Sequence, residues 1–246
     1  EEGYTQQGLT YDEVNGRFLL SGYMTDSSKA SRIYVVNAED DTSKYVELKE
    51  NDEPFFGHVG GITTYGNTVW LGSEEKVYRL SLSDINSAES GASVNIIDSF
   101  KAINNASFMN VKDNKLWIGE FYREKNYKTD ESHHMTTASG DKNYAFISCY
   151  NIDESMAYGV SSLVPEKILS VTSLVQGMTI TDNGKIVLST SYSLPNSKLY
   201  VHENVLSGEA DVTFKVEGID IPVWQLDSSN LLETIDAPCM AEEIVY

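Results

Sequence analysis

A short pattern recurs along the chain and constrains the fold more than any other feature of the sequence. Each copy begins with a small or polar pair, continues with a large apolar residue and runs on into a turn. The copies are Gln7-Gly8-Leu9-Thr10-Tyr11, Gly60-Gly61-Ile62-Thr63-Thr64, Ala106-Ser107-Phe108-Met109-Asn110, Gln176-Gly177-Met178-Thr179-Ile180 and Glu242-Glu243-Ile244-Val245-Tyr246. In the first four copies the turn is rich in Asn, Asp and Gly, which suit tight hairpins. Such internal similarity is typical of repeat folds.

Three further strands are predicted after each of the first four copies. The second strands are short apolar runs such as Val69-Trp70-Leu71-Gly72, which are typical of strands buried on both faces. The third strands are rich in aromatic and β-branched residues, and the fourth, such as Val94-Asn95-Ile96-Ile97, are fainter. Four strands per unit favour a β-propeller. A β-sandwich with similar turns is the alternative, but it explains four strands per unit poorly.

The units begin near residues 7, 60, 106, 176 and 242. Blades usually take roughly 40 to 50 residues, so the third and fourth units carry insertions, at about 121–143 and between 203 and 227. Insertions in such folds map to loops on one face, often the binding face. We therefore predict an all-β fold, a single β-propeller domain over residues 1–246 with four-stranded blades. Five blades are expected, with six as the alternative. The fifth unit is incomplete at Tyr246, so we expect the full gene product to continue beyond it.

The chain is strongly acidic, with a formal charge of −19 from 37 acidic and 18 basic residues. Such a field repels phosphates and anionic headgroups, and no apolar run approaches the roughly 18 residues of a membrane span, so neither nucleic acid nor membrane insertion is expected. The acidity would attract cations, or it serves solubility alone. Cys149 and Cys239 are too few for a disulfide framework. The Tyr-rich, Arg-poor composition predicts an extracellular or cell-surface protein, which we expect to be a monomer.

The first strand of each propeller blade lines the central channel, so the residues that open these strands face a common axis. The opening residues are Gln7, Gly60, Ala106, Gln176 and Glu242, with His58, Asn105 and Glu243 alongside. This polar ring predicts a binding site for a sugar, a peptide or a hydrated cation. The alternative is that these side chains only hydrogen-bond backbone and trapped water.

A second group of candidate residues surrounds the insertion of the third unit. Glu120 ends a second strand, and His133 and His134 follow in the insertion. Because histidine titrates near neutral pH, Glu120 and His133 are candidate catalytic residues and His134 a candidate ligand-binding residue, with loop anchoring as the alternative. Ser189 and Ser191 are further candidates for ligand binding, although no Gly-x-Ser-x-Gly motif accompanies them and they could instead cap a wide turn.

Several of these segments resemble a group of uncharacterised secreted bacterial propeller proteins. They are Gln7-Gly8-Leu9-Thr10-Tyr11-Asp12, His58-Val59-Gly60-Gly61-Ile62, Gly119-Glu120-Phe121-Tyr122-Arg123, His133-His134, Gln176-Gly177-Met178 and Ser189-Thr190-Ser191-Tyr192. More distantly, the blade pattern resembles the SMP-30/gluconolactonase and NHL-type propellers. The gluconolactonase resemblance implies Ca²⁺ or another divalent cation in the channel, with Glu242 and Asn105 as metal ligands.

Two functions follow as hypotheses. The first is a secreted or surface propeller that binds a small molecule, a glycan or a peptide at its channel face. The alternative, implied by the gluconolactonase resemblance, is a metal-dependent hydrolase of lactones or esters with Glu120 or His133 as its base.

Overall fold

The computed structural model describes residues 3–40 and 42–246. Across these residues, four main β-sheets follow one another in chain order, and the first strands of consecutive sheets pack against each other around a central channel. The prediction of an all-β propeller is therefore confirmed. The number of blades in the complete ring stays a prediction. Within the described residues, no helix has the length and apolar character needed to cross a membrane.

The first sheet has the order β1-β2-β3-β4-β5, and a strand from the second unit, β9, also pairs with β4. Its strands are β1 (Tyr4–Asp12), β2 (Arg17–Met24), β3 (Arg32–Asn37), β4 (Ser43–Glu50), β5 (Glu53–Pro54) and β9 (Ser93–Asn95). The second sheet has the order β6-β7-β8-β10. Its strands are β6 (Ile62–Tyr65), β7 (Thr68–Ser73), β8 (Lys76–Ser81) and β10 (Asp98–Lys101).

The fourth strand predicted for the second unit is wrong. Its residues form β9, which runs parallel to β4 of the first sheet, and β10 completes the second sheet instead. The helix α1 (Leu82–Ser87), capped by the Ser81 hydroxyl, lies between β8 and β9. This helix separates β9 from β8, the strand that precedes it in the second unit. The packing of the first two sheets then decides that β9 pairs with β4.

The third sheet is extended by strands from the fourth unit, in the order β11-β12-β15-β16-β21-β20. Its strands are β11 (Phe108–Lys112), β12 (Lys115–Gly119), β15 (Ala145–Asn151), β16 (Lys167–Val171), β21 (Ile219–Gln225) and β20 (Val212–Val216). The parallel pairing of β21 with β16 makes the second insertion a hairpin added to a sheet, whereas a loop on one face was expected. Short elements fill the rest: β13 (Met135–Thr136), β14 (Lys142–Asn143), and 3-10 helices at Glu131–His133, Ala157–Gly159 and Val205–Ser207.

The fourth sheet has the order β17-β18-β19-β22. Its strands are β17 (Val175–Ile180), β18 (Ile186–Thr190), β19 (Ser197–His202) and β22 (Leu231–Ala237). The apolar core lies between neighbouring sheets, as in other face-packed β folds. Leu71 belongs to the cluster between the first and second sheets, Met109 to that between the second and third, and Met178 to that between the third and fourth.

Strand register shows that the repeat alignment is one residue out in the third unit. Gly8 pairs with Ser21, Phe108 with Gly119 and Gly177 with Ser189, so Phe108 stands at the glycine position where Ser107 was expected. Phe108 and Met109 are both large and apolar, and either one satisfies the sequence pattern. The backbone pairing, which depends on β12, selects Met109 as the counterpart of Leu9.

The C-terminal segment 242–246 runs along the first strand of the fourth sheet. A Cβ atom built on Gly177 would lie 2.9 Å from the Cα of Glu243, and a Cβ built on Gly61 would lie 2.5 Å from the Cα of Phe108. Glu243 therefore stands beside Gly177 as Phe108 stands beside Gly61. This agrees with the alignment of the fifth copy of the repeat, although the segment has no regular strand pairing.

Candidate functional site

The centre of the channel is filled by the carboxylate of Glu243. Its Oε2 accepts hydrogen bonds from the backbone N–H groups of Leu9, at 2.7 Å, and Ile62, at 3.2 Å, and its Oε1 accepts one from Met109, at 2.5 Å. These donors come from three different sheets at one level of the channel. Burial raises the pKa of Glu243 to about 8, against the opposing effect of the three N–H donors.

Glycine at the repeat position makes room for this carboxylate. A Cβ atom on Gly8 would lie 2.8 Å from Glu243 Oε2 and 2.6 Å from the carbonyl oxygen of Gly60. Both separations are too short for a side chain. The glycines thus allow close approach of the first strands and leave room at the axis for one side chain. This side chain is Glu243, from the C-terminal segment 242–246.

Glu242 lies next to this group but has a different environment. It is half-buried, and burial raises the pKa of its carboxyl to about 7. The hydrogen bonds of the described residues include none to the Glu242 carboxylate, and none that joins it to Asn105. The described residues also contain no group of three or more His, Cys, Asp or Glu side chains placed to hold a metal ion. Of the two predicted metal ligands, only Glu242 has a carboxylate, so the pair would offer a cation one charged ligand.

The predicted catalytic pair does come together, but it is buried. His133 Nδ1 lies 2.7 Å from Glu120 Oε1, which also accepts the backbone N–H of Phe146 at 2.8 Å. The side chains of Glu120 and His133 are 2% and 6% exposed. His133 also stacks on the Phe146 ring, with centroids 4.4 Å apart, so the pair is closed off from solvent and anchors the insertion to the third sheet.

Most of the other candidate residues lie apart from one another, and each contacts a neighbouring group. His134 Nε2 lies 3.0 Å from the Thr129 hydroxyl, and the exposed His58 packs against the Tyr23 ring at 4.2 Å. Gln176 Nε2 donates to the Ser191 hydroxyl at 3.2 Å, which brings these two candidates together. The two other candidates bond to backbone oxygens: Gln7 to Gln6 at 2.8 Å, and the buried Ser189 to Ala241 at 3.4 Å.

A cavity near the axis lies at the other end of the channel, where the first strands finish. It has a volume of about 610 Å³, and we call it the cup. Four of its lining residues are equivalent in the register of the sheets and follow directly after the large apolar residue of the repeat: Thr10, Thr63, Asn110 and Thr179. The predicted ring of Gln7, His58, Asn105 and Gln176 is not part of its lining.

The four polar residues of the cup have unused hydrogen-bonding capacity. Each is less than 10% exposed, and no hydrogen bond within the described residues involves their side chains. Aromatic rings stand around them, from Tyr11, Phe18, Tyr65 and Tyr246, and the Tyr11 and Phe18 rings lie 5.0 Å apart. A cavity of this size, lined by aromatic and polar side chains, is large enough for a small molecule.

Sequence reasoning missed the cup, and it placed Glu243 beside the polar ring without predicting that its side chain fills the axis, although a signal for each was present. Thr10, Thr63 and Thr179 occupy the same place in three copies of the repeat, and the one-residue error in the third copy hid Asn110. Glu243 takes the glycine position of the fifth copy, where a charged residue is unexpected. The first, second and fourth copies have glycine at this crowded position, so the glutamate of the fifth copy was the available signal.

Comparisons with known proteins name no family for the chain. No protein-family model matches the sequence, and no curated protein matches it significantly. Among solved structures, an exo-β-1,3-galactanase from Phanerochaete chrysosporium is similar at 13% identity and a TM-score of 0.49, over 82% of this chain and 48% of that one. The PQQ-bound aldose sugar dehydrogenase from Streptomyces coelicolor gives 14% and 0.46, over 88% of this chain and 66% of that one.

A bifunctional GH43-CE protein from Bacteroides eggerthii gives 9% identity and a TM-score of 0.44, over 97% of this chain and 28% of that one. The chain thus spans about half the length of the galactanase and less than two thirds of the length of the other two. At these identities the similarity is one of fold alone, and the chain is similar to these proteins as a β-propeller.

Proposed function

We propose that this protein is a ligand-binding β-propeller that holds a small uncharged polar molecule, with a mono- or disaccharide as the class, in the cup. One observation carries the proposal: each of four sheets contributes a buried polar side chain with free hydrogen-bonding capacity to a single 610 Å³ cavity. The polar atoms of these four side chains are not among the fully buried atoms without a partner, so they are accessible at the cavity, where a polar ligand or water can bond to them.

The residues that line the cup indicate which class of ligand it could bind. A sugar presents C–H faces, which pack on aromatic rings, and hydroxyl groups, which pair with threonine and asparagine. The cup also holds the acidic residues Asp12, Glu13 and Asp113, and its one lysine, Lys112, is paired with Asp182 at 2.8 Å. This charge balance, together with the net charge of −19, disfavours an anionic ligand.

The proposal extends to the setting of the protein. A Tyr-rich, acidic composition supports an extracellular or cell-surface location, in keeping with the resemblance to secreted bacterial propellers. The position of segment 242–246 beside β17 supports a fifth inner strand and hence five blades. A monomer with no nucleic-acid or membrane partner remains part of the same proposal.

Calorimetric titration with a panel of neutral mono- and disaccharides tests the proposal. We expect the double substitution Thr10→Val and Thr63→Val, which removes two hydroxyls at nearly constant volume, to weaken binding about 5- to 150-fold, since each lost hydrogen bond costs roughly 0.5–1.5 kcal/mol. Thr213→Val on the exposed part of β20 is the matched control. Equal affinity of the double variant and the wild type, or no binding across the panel, would contradict the proposal.

A second candidate function rests on Glu242. A half-buried carboxyl whose pKa is raised to about 7 is suited to general acid–base catalysis. We propose lactone or ester hydrolysis as the alternative activity, with the Glu242 carboxyl as the general acid or base. If it is correct, Glu242→Gln abolishes turnover, whereas Thr10→Val and Thr63→Val leave it unchanged. Turnover that survives Glu242→Gln would exclude it.

A further inference from the structure

The two insertions of the third and fourth units meet on the outside of the propeller, away from the cup. Asp141 Oδ2 in the first insertion accepts hydrogen bonds from the Ser228 backbone N–H, at 2.9 Å, and hydroxyl, at 2.6 Å. Asn143 Nδ2 donates to the Leu226 carbonyl oxygen at 3.1 Å. These contacts fix the insertions to each other, and a cavity of about 260 Å³ opens between them.

This cavity, which we call the acidic pocket, has a one-sided charge. Ala138 and Ser139 come from the first insertion, and the other lining residues are Val205, Glu209, Asp211, Trp224, Gln225, Asp227, Ser229 and Asn230. Three of them are acidic and none is Lys, Arg or His. Burial tends to raise the pKa of Asp227, but hydrogen bonds, chiefly those from the hydroxyl and backbone N–H of Ser229, more than offset this and hold it below its usual value.

A buried amide in the pocket has an unused acceptor. Gln225 is only 7% exposed and lines the cavity, and its Nε2 has one weak contact, to Met135 Sδ at 3.7 Å. Its Oε1 accepts no hydrogen bond from the described part of the chain. Because Gln225 Oε1 has no donor and is not one of the fully buried atoms without a partner, it is accessible at the pocket and can accept a hydrogen bond from a molecule that enters it.

Trp224 supplies an aromatic wall next to this amide. Its indole Nε1 donates to the Gly208 carbonyl oxygen at 3.1 Å, which fixes the ring while part of it remains exposed to the cavity. An aromatic face close to carboxylates attracts organic cations, because the ring quadrupole and the negative charges act together. The described residues contain no His, Cys, Asp or Glu cluster placed to hold a metal ion, so the three acidic residues do not form a metal site.

We propose that the acidic pocket binds a small primary alkylammonium ion. The ammonium group would donate to Gln225 Oε1 and be neutralised by Asp211 and Glu209, and the alkyl chain would lie against Trp224. The volume of 260 Å³ is just below the roughly 300–1,000 Å³ of typical small-molecule sites, which suits a ligand of this size. The site is independent of the cup and of the function proposed for it.

Tryptophan fluorescence provides a direct test with n-butylammonium chloride as the probe. Trp70 and Trp117 are 0% and 3% exposed, so a ligand-induced change reports on Trp224. We expect a saturable change with n-butylammonium and none with the neutral analogue 1-butanol at the same concentration. Asp211→Asn, which keeps an acceptor for the Gln225 backbone N–H, should weaken binding roughly 3- to 30-fold.

Controls separate this site from nonspecific charge attraction. Glu233→Gln removes one charge from the exposed strand β22 and should bind n-butylammonium as the wild type does. Trp224→Leu, measured by calorimetry, should also weaken binding, and Glu209→Gln serves if Trp224→Leu does not fold. Equal responses to 1-butanol, unchanged affinity in both Asp211→Asn and Glu209→Gln, or displacement of the probe by CaCl₂ at matched ionic strength would overturn the proposal.

Discussion

Glu243 is the residue on which the centre of this propeller depends. A buried carboxylate is costly, and here three backbone N–H groups from separate sheets offset much of that cost. Without the side chain, the N–H groups of Leu9, Ile62 and Met109 would lose this acceptor. The acceptor oxygens of Glu243 thus serve the packing of the first strands around the axis.

Removal of this acceptor should destabilise the whole ring. We expect Glu243→Ala to lower the free energy of unfolding by roughly 3 kcal/mol or more, because each buried donor left without a partner costs about 1–3 kcal/mol. Glu243→Gln keeps an acceptor oxygen and should cost less. Urea denaturation followed by circular dichroism measures both, and equal stability of Glu243→Ala and the wild type would exclude a structural role for the carboxylate.

The pH dependence of stability follows from the same residue. The pKa of Glu243 is about 8 in the folded protein against 4.5 for an ordinary glutamate, so folding takes up a proton between these values. The wild type should therefore lose stability relative to Glu243→Gln as the pH rises from 4.5 to 8, by at most about 1.4 kcal/mol per pH unit. Glu242, which titrates near pH 7, is present in both proteins. A constant difference between pH 5 and 9 would contradict this prediction.

At the scale of elements, the hairpin of β20 and β21 shows how an insertion becomes part of a neighbouring sheet. β21 runs parallel to β16, and its buried residues Ile221 and Val223 form a cluster with Phe146 and Ile168 of the third sheet. Parallel pairing requires a long connection between β16 and β21, which residues 172–218 supply with the strands β17 to β20. The third and fourth units are therefore interlocked.

Substitutions on the two sides of β21 test this interlocking. Ile221→Ala, at a position 4% exposed, should lower the free energy of unfolding by about 2–5 kcal/mol and increase amide hydrogen exchange in β15 and β16. Ile219→Ala on the same strand, at a position 53% exposed, is the matched control and should change stability by no more than about 0.5 kcal/mol. Exchange that increases only between residues 197 and 237 would show that the two units unfold independently.

At the scale of the whole molecule, the two ends of the channel differ because Glu243 closes the axis between them. One end carries Gln7, Gln176 and Glu242, and the other opens into the cup. A ligand in the cup therefore meets the ring of Thr10, Thr63, Asn110 and Thr179 and no residue of the opposite end. The strongly acidic surface adds a field that favours neutral or cationic ligands over anions at either end.

Local patterns predicted the all-β propeller and most of its strands. Turns rich in Asn, Asp and Gly and short apolar runs depend on neighbours in the chain, so they are readable from sequence. The pattern was ambiguous at Phe108 and Met109, where two apolar residues adjoin, and at 94–97, where the strand joins another sheet. The pairing of Glu120 with His133 was anticipated as a candidate site, but the depth of its burial was not.

By itself, the sequence determined the repeat, the first three strands of each unit, the insertions and the acidic charge, because these properties depend on residues close together in the chain. Only the tertiary structure decided that Glu243 fills the axis, that the cup lies at the far end of the first strands, and that the insertions enclose the acidic pocket. The donors to Glu243 are 134 to 234 positions away, and the Asp141–Ser228 contact spans 87 positions. Contacts at such separations arise from the packing of whole sheets, which no local pattern encodes.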